Sequence, residues 1–263
     1  MNKILKYEII DNQKEDWVVF VHGIAGSTKT WKQQINDFSK KYNLLLLDLP
    51  GHGNNADNII DKINIFRLNT GIKNTLDFLN IKNAHFVGMS LGTIVIASFA
   101  IAYPEYVKSI IFGGTAIQTS GIYKTLIYLT AKAKSIFPYV KMYQFLSWFL
   151  MPKENHKKSR SIFLREAKKL DKHTMYAWID YLKQCIHPEN IIRELEKTHI
   201  GILFISGDED HCFIKGARKT FENIQNAQFK LMKHCGHVCS IERANEFNEY
   251  ALKYLESLRT VPT

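Results

Sequence analysis

His85-Phe-Val-Gly-Met-Ser90-Leu-Gly-Thr-Ile-Val-Ile-Ala97 is the stretch on which the reading of this chain turns. Its first five residues are apolar, aromatic or β-branched, the composition of a strand buried on both faces. From Leu91 the apolar residues continue at helical length as far as Tyr103. Between the two lies Gly88-Met-Ser90-Leu-Gly92, a G-x-S-x-G pattern in its strand-to-helix context. A serine there occupies a sharp, strained turn that lifts its hydroxyl above the sheet edge, and the flanking glycines leave room for the crossing. The helix N-terminus beneath it favours developing negative charge. Ser90 is therefore the candidate nucleophile. The five-residue match alone would fit an ordinary turn; its flanks give it weight.

Working outward, residues 17–21, 44–48 and 201–206 read as further buried strands, and 107–112 and 227–232 as weaker ones. Helical patterns fill 28–40, 61–79, 214–224 and 242–258. Strand and helix alternate, which predicts an α/β fold: a mostly parallel central sheet with helices on both faces. The alternation fails over 117–195. Only helical periodicity is found there, with Tyr123, Leu126, Ile127 and Thr130 on one face and Met175, Trp178, Ile179 and Leu182 on another. That interval is too long for a connection. It predicts a helical cap over 117–195, inserted into a core of 1–116 and 196–263.

A serine hydroxyl needs a base within hydrogen-bond reach, itself held by a third group. Of ten histidines, His237 in Cys235-Gly-His-Val follows the last strand and can swing over the sheet's C-terminal edge. For the acid, Gly207-Asp-Glu-Asp210 ends the strongest late strand. Asp210 is preferred to Asp208 because it lies farther past the strand end; Asp208 suits a turn residue bonding its own backbone. The order Ser90, Asp210, His237 is that of nucleophile, acid and base in G-x-S-x-G enzymes. His211 reads as a loop residue, and His156, His173, His187 and His199 have no partner pattern. Cys212, Cys235 and Cys239 with His211 and His237 match no zinc spacing, so no metal or other cofactor is expected.

The 263 residues carry a net charge of +10, 46% hydrophobic and 23% charged residues, ordinary for a globular domain with a sizeable core. No basic stretch is interleaved with aromatics, which argues against nucleic acid. No window has the length and apolarity of a membrane span, the N-terminus lacks a signal-peptide run, and four cysteines make no disulfide framework. Those features predict a cytoplasmic setting.

His22-Gly-Ile-Ala-Gly-Ser27 follows the strand at 17–21. A glycine-rich turn of this kind can present a backbone N–H to an oxyanion, with the N–H of Leu91 as the second donor. Val21-His-Gly, Asp48-Leu-Pro-Gly-His-Gly53, Gly88-Met-Ser-Leu-Gly92, Gly207-Asp-Glu-Asp210 and Gly236-His237 together resemble the successive signatures of the α/β-hydrolase superfamily. They span almost the whole chain in the family's order. The resemblance implies Ser90 as nucleophile, Asp210 as acid, His237 as base, and Ile24 and Leu91 as oxyanion donors. Residues 48–53 resemble the family's structural turn, so His52 is not assigned to catalysis. Relatives that remove halide carry aspartate at the elbow, and menaquinone-pathway synthases typically carry arginine soon after it; this chain has Ser90 and then Thr93-Ile-Val.

The cap segment holds Tyr123, Tyr128, Phe137, Tyr139, Tyr143, Phe145, Trp148, Phe149 and Met151, which read mainly as packing residues and in part as an apolar pocket wall. Lys153, Lys157, Lys158, Arg160, Arg165, Lys168, Lys169 and Lys172 gather there too. They form a solvated face, or a surface for an anionic partner such as a membrane or an acidic acyl carrier. The expected function is a carboxylesterase-like serine hydrolase cleaving an ester or thioester of a small-molecule substrate. Amide or C–C hydrolysis on the same triad, and a non-catalytic receptor on the same fold, are the alternatives.

Overall fold

The computed structural model describes residues 4–56, 59–118, 121–133, 138–185 and 189–259. In chain order the strands are β1 (Lys6–Ile10), β2 (Trp17–Val21), β3 (Asn43–Asp48), β4 (Ala84–Met89), β5 (Val107–Gly113), β6 (Gly201–Gly207) and β7 (Ala227–Met232). The helices of the N-terminal half are α1 (Lys32–Phe38), α2 (Ile65–Phe78) and α3 (Leu91–Ala102). Between β5 and β6 come α4 (Gly121–Ala133), α5 (Tyr139–Leu150), α6 (Lys157–Ala167), α7 (Lys172–Gln184) and α8 (Glu189–Glu196). The chain closes with α9 (Ile214–Glu222), α10 (Cys239–Glu242) and α11 (Ala244–Arg259).

Side chains alternate across the central strands. Val19 and Val21 join Phe86, Phe112 and Phe204 in one core with Leu68, Ile72 and Ile94 of α2 and α3. Val18 and Phe20 face the opposite core with Val87, Ile111 and Leu203, closed by Phe38 of α1 and Phe247 and Leu255 of α11. Burial on both faces explains why these strands read as continuous apolar runs. The sheet order is β1-β3-β2-β4-β5-β6-β7, parallel except for β1, which pairs antiparallel with β3. Sequence periodicity missed β1: Lys6-Tyr-Glu-Ile-Ile10 is an edge strand with only half-buried or exposed side chains, and so has no apolar run to find.

Because β3 lies on one side of β2 and β4 on the other, the chain leaves β2 and β4 in diverging directions. Open α/β sheets form their ligand crevice outside the carboxyl ends of strands at such a reversal. Residues 22–27 follow β2 and Ser90 follows β4, so the topology brings the glycine-rich turn and the elbow to one rim.

Three helix boundaries differ from the sequence expectation. The segment from Thr28 begins as a 3₁₀ turn to Trp31, its first N–H bonded to the buried Asp48 carboxylate (2.8 Å), and α1 starts only at Lys32. α2 starts at Ile65, capped by the Asn64 side chain accepting the Arg67 N–H at 3.0 Å. The last helix is broken at Arg243 into α10 and α11. Glu242, at that break, folds its carboxylate back onto the N–H groups of Gly236 (2.6 Å) and Val238 (3.3 Å).

Candidate active site

Ser90 has φ +52° and ψ −116°, a left-handed conformation that a non-glycine residue adopts only under constraint. The constraint is visible. Its N–H donates to the Gly113 carbonyl at 3.1 Å, and its own carbonyl accepts from the Thr93 hydroxyl (2.6 Å) and N–H (2.9 Å). A Cβ at Gly92 would lie 2.1 Å from the Val21 carbonyl oxygen, so only glycine lets α3 approach the end of β2. Thr93 is fully buried and also accepts the Ala116 N–H at 3.1 Å.

The Ser90 hydroxyl lies 2.9 Å from His237 Nε2, and His237 Nδ1 lies 2.9 Å from Asp210 Oδ2. The three residues predicted from sequence, spread over 147 positions, thus meet in one hydrogen-bonded chain. Asp210 and His237 are both buried, in surroundings where such bonds are electrostatically stronger than in water. Asp208 is elsewhere. Its side chain accepts the Cys235 N–H at 3.3 Å, so it ties the β6 turn to the β7 loop instead of bonding its own backbone.

Ile24 and Leu91 border the same cavity as Ser90. Neither backbone N–H has an acceptor among the described residues, as a donor pair waiting for a ligand oxygen would require. The turn carrying Ile24 is held rigidly. His52 Nε2 accepts the N–H of Ala25, itself at φ +55°, while His52 Nδ1 donates to the Pro50 carbonyl. His22 Nδ1 donates to the Gly23 carbonyl (2.8 Å), and its Nε2 accepts the Leu49 N–H at 3.1 Å. Burial holds the pKa of both imidazoles below the ordinary histidine value. They remain neutral, with one nitrogen free to accept, and act as scaffold.

Two features had no sequence signal. Phe213, from the segment after β6, stacks on the His237 ring with centroids 4.5 Å apart and planes 25° apart. His156, which sequence reasoning left without a partner, is fully buried; its Nε2 donates to Glu209 Oε2 at 2.9 Å, and its Nδ1 accepts the Lys153 N–H at 3.3 Å. A Cβ on Gly236 would lie 2.7 Å from His156 Nε2, so glycine beside His237 is what admits the ring. The segment before α6 is thereby fastened next to both Asp210 and His237. Among the remaining histidines, His211 is an exposed loop residue whose ring meets Phe149 edge-on at 5.5 Å, and His187 lies outside the described residues, as does Phe137.

Burial pushes the Glu209 carboxyl up, but hydrogen bonds from Asn155, Lys153 and His156 outweigh it and hold the group at about 2. A carboxyl held below its ordinary value of 4.5 contributes stability that is complete above that pH and lost as pH falls toward 2. Thermal melts across that range should therefore show wild type and Glu209→Gln separated most above pH 4.5, and converging toward pH 2.

The cavity at Ser90 is lined by Ile94 and Ala116 of the core, Tyr123, Lys124 and Ile127 of α4, and Leu182 and Cys185 at the end of α7. Its water-accessible space is about 20 Å³, room for a single water. Lys124 is the one charged side chain among these lining residues. It has no acidic partner among the described residues. Of the cap aromatics, Tyr123 borders the cavity, Tyr143 is buried with its hydroxyl 3.3 Å from the Ile24 carbonyl, and Tyr128, Phe145 and Trp148 are exposed.

Residues 16–130 match the family model described as the alpha/beta hydrolase fold. With its seven-stranded, mostly parallel sheet, the chain has the α/β-hydrolase fold. It is 28% identical over 266 residues to a 2-hydroxy-6-oxononadienedioate/2-hydroxy-6-oxononatrienedioate hydrolase of Paraburkholderia phymatum, covering 92% of this chain and 87% of the relative. An esterase from Exiguobacterium antarcticum superposes with TM-score 0.83 at 16% identity, covering 97% of this chain and all of that one. The enol-lactonase of Burkholderia xenovorans does so with TM-score 0.79 at 19% identity, covering 96% of each chain. The chain is thus a hydrolase of the α/β fold, similar to proteins named as a dienedioate hydrolase, an esterase and an enol-lactonase.

Proposed function

We propose that the chain is a serine hydrolase whose triad is Ser90, His237 and Asp210, with the N–H groups of Ile24 and Leu91 as its oxyanion donors and α4 to α8 as its cap. The carrying observation is the pair of 2.9 Å contacts linking hydroxyl, imidazole and carboxylate. Ser90 attacks an ester or thioester carbonyl while His237 Nε2 accepts its proton. The negative oxygen is received by the two backbone donors. His237 then returns the proton to the leaving group, Asp210 holding its Nδ1–H throughout. Water cleaves the acyl-enzyme by the same route.

Lys124, a lone cation in an apolar lining, favours an acyl group that bears a carboxylate. The Paraburkholderia relative, named for an oxo-dienedioate with two carboxylates, supports that reading and the second one, hydrolysis of a C–C bond on the same triad. A fluorophosphonate probe tests the first part: it should label the protein once, and peptide mapping should place the label on Ser90. Labelling at another residue, or none, would remove the proposal. The second part predicts that Lys124→Met lowers kcat/KM for the p-nitrophenyl monoester of succinate about 10- to 100-fold, the weight of one charge-assisted hydrogen bond. The same variant should leave the uncharged butyrate ester nearly unchanged.

A further inference from the structure

The helices α5 and α6 turn their inner faces to the site and their outer faces to solvent. Inside, Tyr143 and Leu146 of α5 and Phe163 of α6 are buried, and the Tyr143 hydroxyl reaches the Ile24 carbonyl. Outside, Phe145 and Trp148 lie one turn apart on α5 and are 56% and 58% exposed. They border an open groove of about 450 Å³ together with Lys141, Arg160 and Leu164. Large aromatic side chains at that exposure, grouped in one patch, mark an interaction surface.

The charge around the patch says what kind. α5 contains no acidic residue, and the single acid of α6, Glu166, is buried against Lys169 and Ser27. Lys157 on α6 and Lys168 just after it are exposed without an acidic partner among the described residues, as is Lys141 on α5. The Arg160 guanidinium donates to the Met151 and Lys153 carbonyls, which leave its charge uncompensated. Tryptophan and phenylalanine ringed by lysine and arginine, with no exposed acid on either helix, is the composition of a surface that lies in the interface of an anionic membrane. A bilayer also accepts two protruding aromatics without a complementary pocket.

We propose that the outer face of α5 and α6 docks on an anionic lipid surface. Full-length protein should sediment with phosphatidylcholine vesicles containing phosphatidylglycerol, and not with vesicles of phosphatidylcholine alone. High salt should release it. Phe145→Ser with Trp148→Ser should lower the partition coefficient by tenfold or more. Lys141→Gln and Lys157→Gln should each lower it about fivefold, the weight of one charge at an anionic leaflet. Hydrolysis of a soluble ester by these surface variants should match wild type, which shows that they fold. Equal binding to neutral vesicles, no binding to either, or binding unchanged by the double aromatic substitution would each overturn the proposal; in the second case an acidic protein becomes the occupant to test.

Discussion

Ser90→Ala is expected to lower kcat for ester hydrolysis by about 10⁶-fold, the scale on which removing a triad nucleophile acts. The variant removes one oxygen and changes nothing else at the elbow. The backbone at φ +52° is held by the Gly113 carbonyl and by Thr93, and alanine meets the same strain there as serine. Melting temperature should therefore match wild type within measurement. A residual rate above that of water should persist, because the Ile24 and Leu91 donors and the apolar lining stay in place. Steady-state kinetics alongside a thermal melt checks both halves. A variant with near wild-type turnover would show that another group performs the attack.

Asp210→Asn should cost about 10⁴-fold in kcat with KM little altered. The carboxylate accepts from His237 Nδ1 at 2.9 Å and so keeps Nε2 unprotonated toward Ser90. An amide in its place can donate to Nδ1 instead. The ring then carries its proton on Nε2 and cannot take one from the serine. The Asp208→Asn control should change kcat by a few-fold at most, since an amide oxygen can still accept the Cys235 N–H that Asp208 bonds at 3.3 Å. If Asp208→Asn proves the more damaging of the two, the acid has been assigned to the wrong carboxylate.

Between these two aspartates lies the boundary of what the chain reveals about itself. Strands β2 to β7, the elbow at Ser90 and the loop position of His237 were legible because each is written locally, in apolar runs of strand length and in glycines beside a serine. Choosing Asp210 needed only chain geometry, a residue farther past the end of β6. β1 was illegible because an edge strand buries too little to enforce a pattern. The break at Arg243 was illegible because Glu242 bonds backwards to the N–H groups of Gly236 and Val238.

Local order, then, determined the α/β class and the candidate nucleophile, since side-chain period and turn chemistry act over a few residues. Only the tertiary structure decided that Phe213 stacks on His237, that His156 fastens the insertion beside the loops of Asp210 and His237, and that Lys124 stands alone in the cavity wall. His156 and Glu209 are 53 residues apart. A hydrogen bond across such a distance leaves no periodic trace in either segment, because it depends on where the sheet places their loops and not on what surrounds them in the chain.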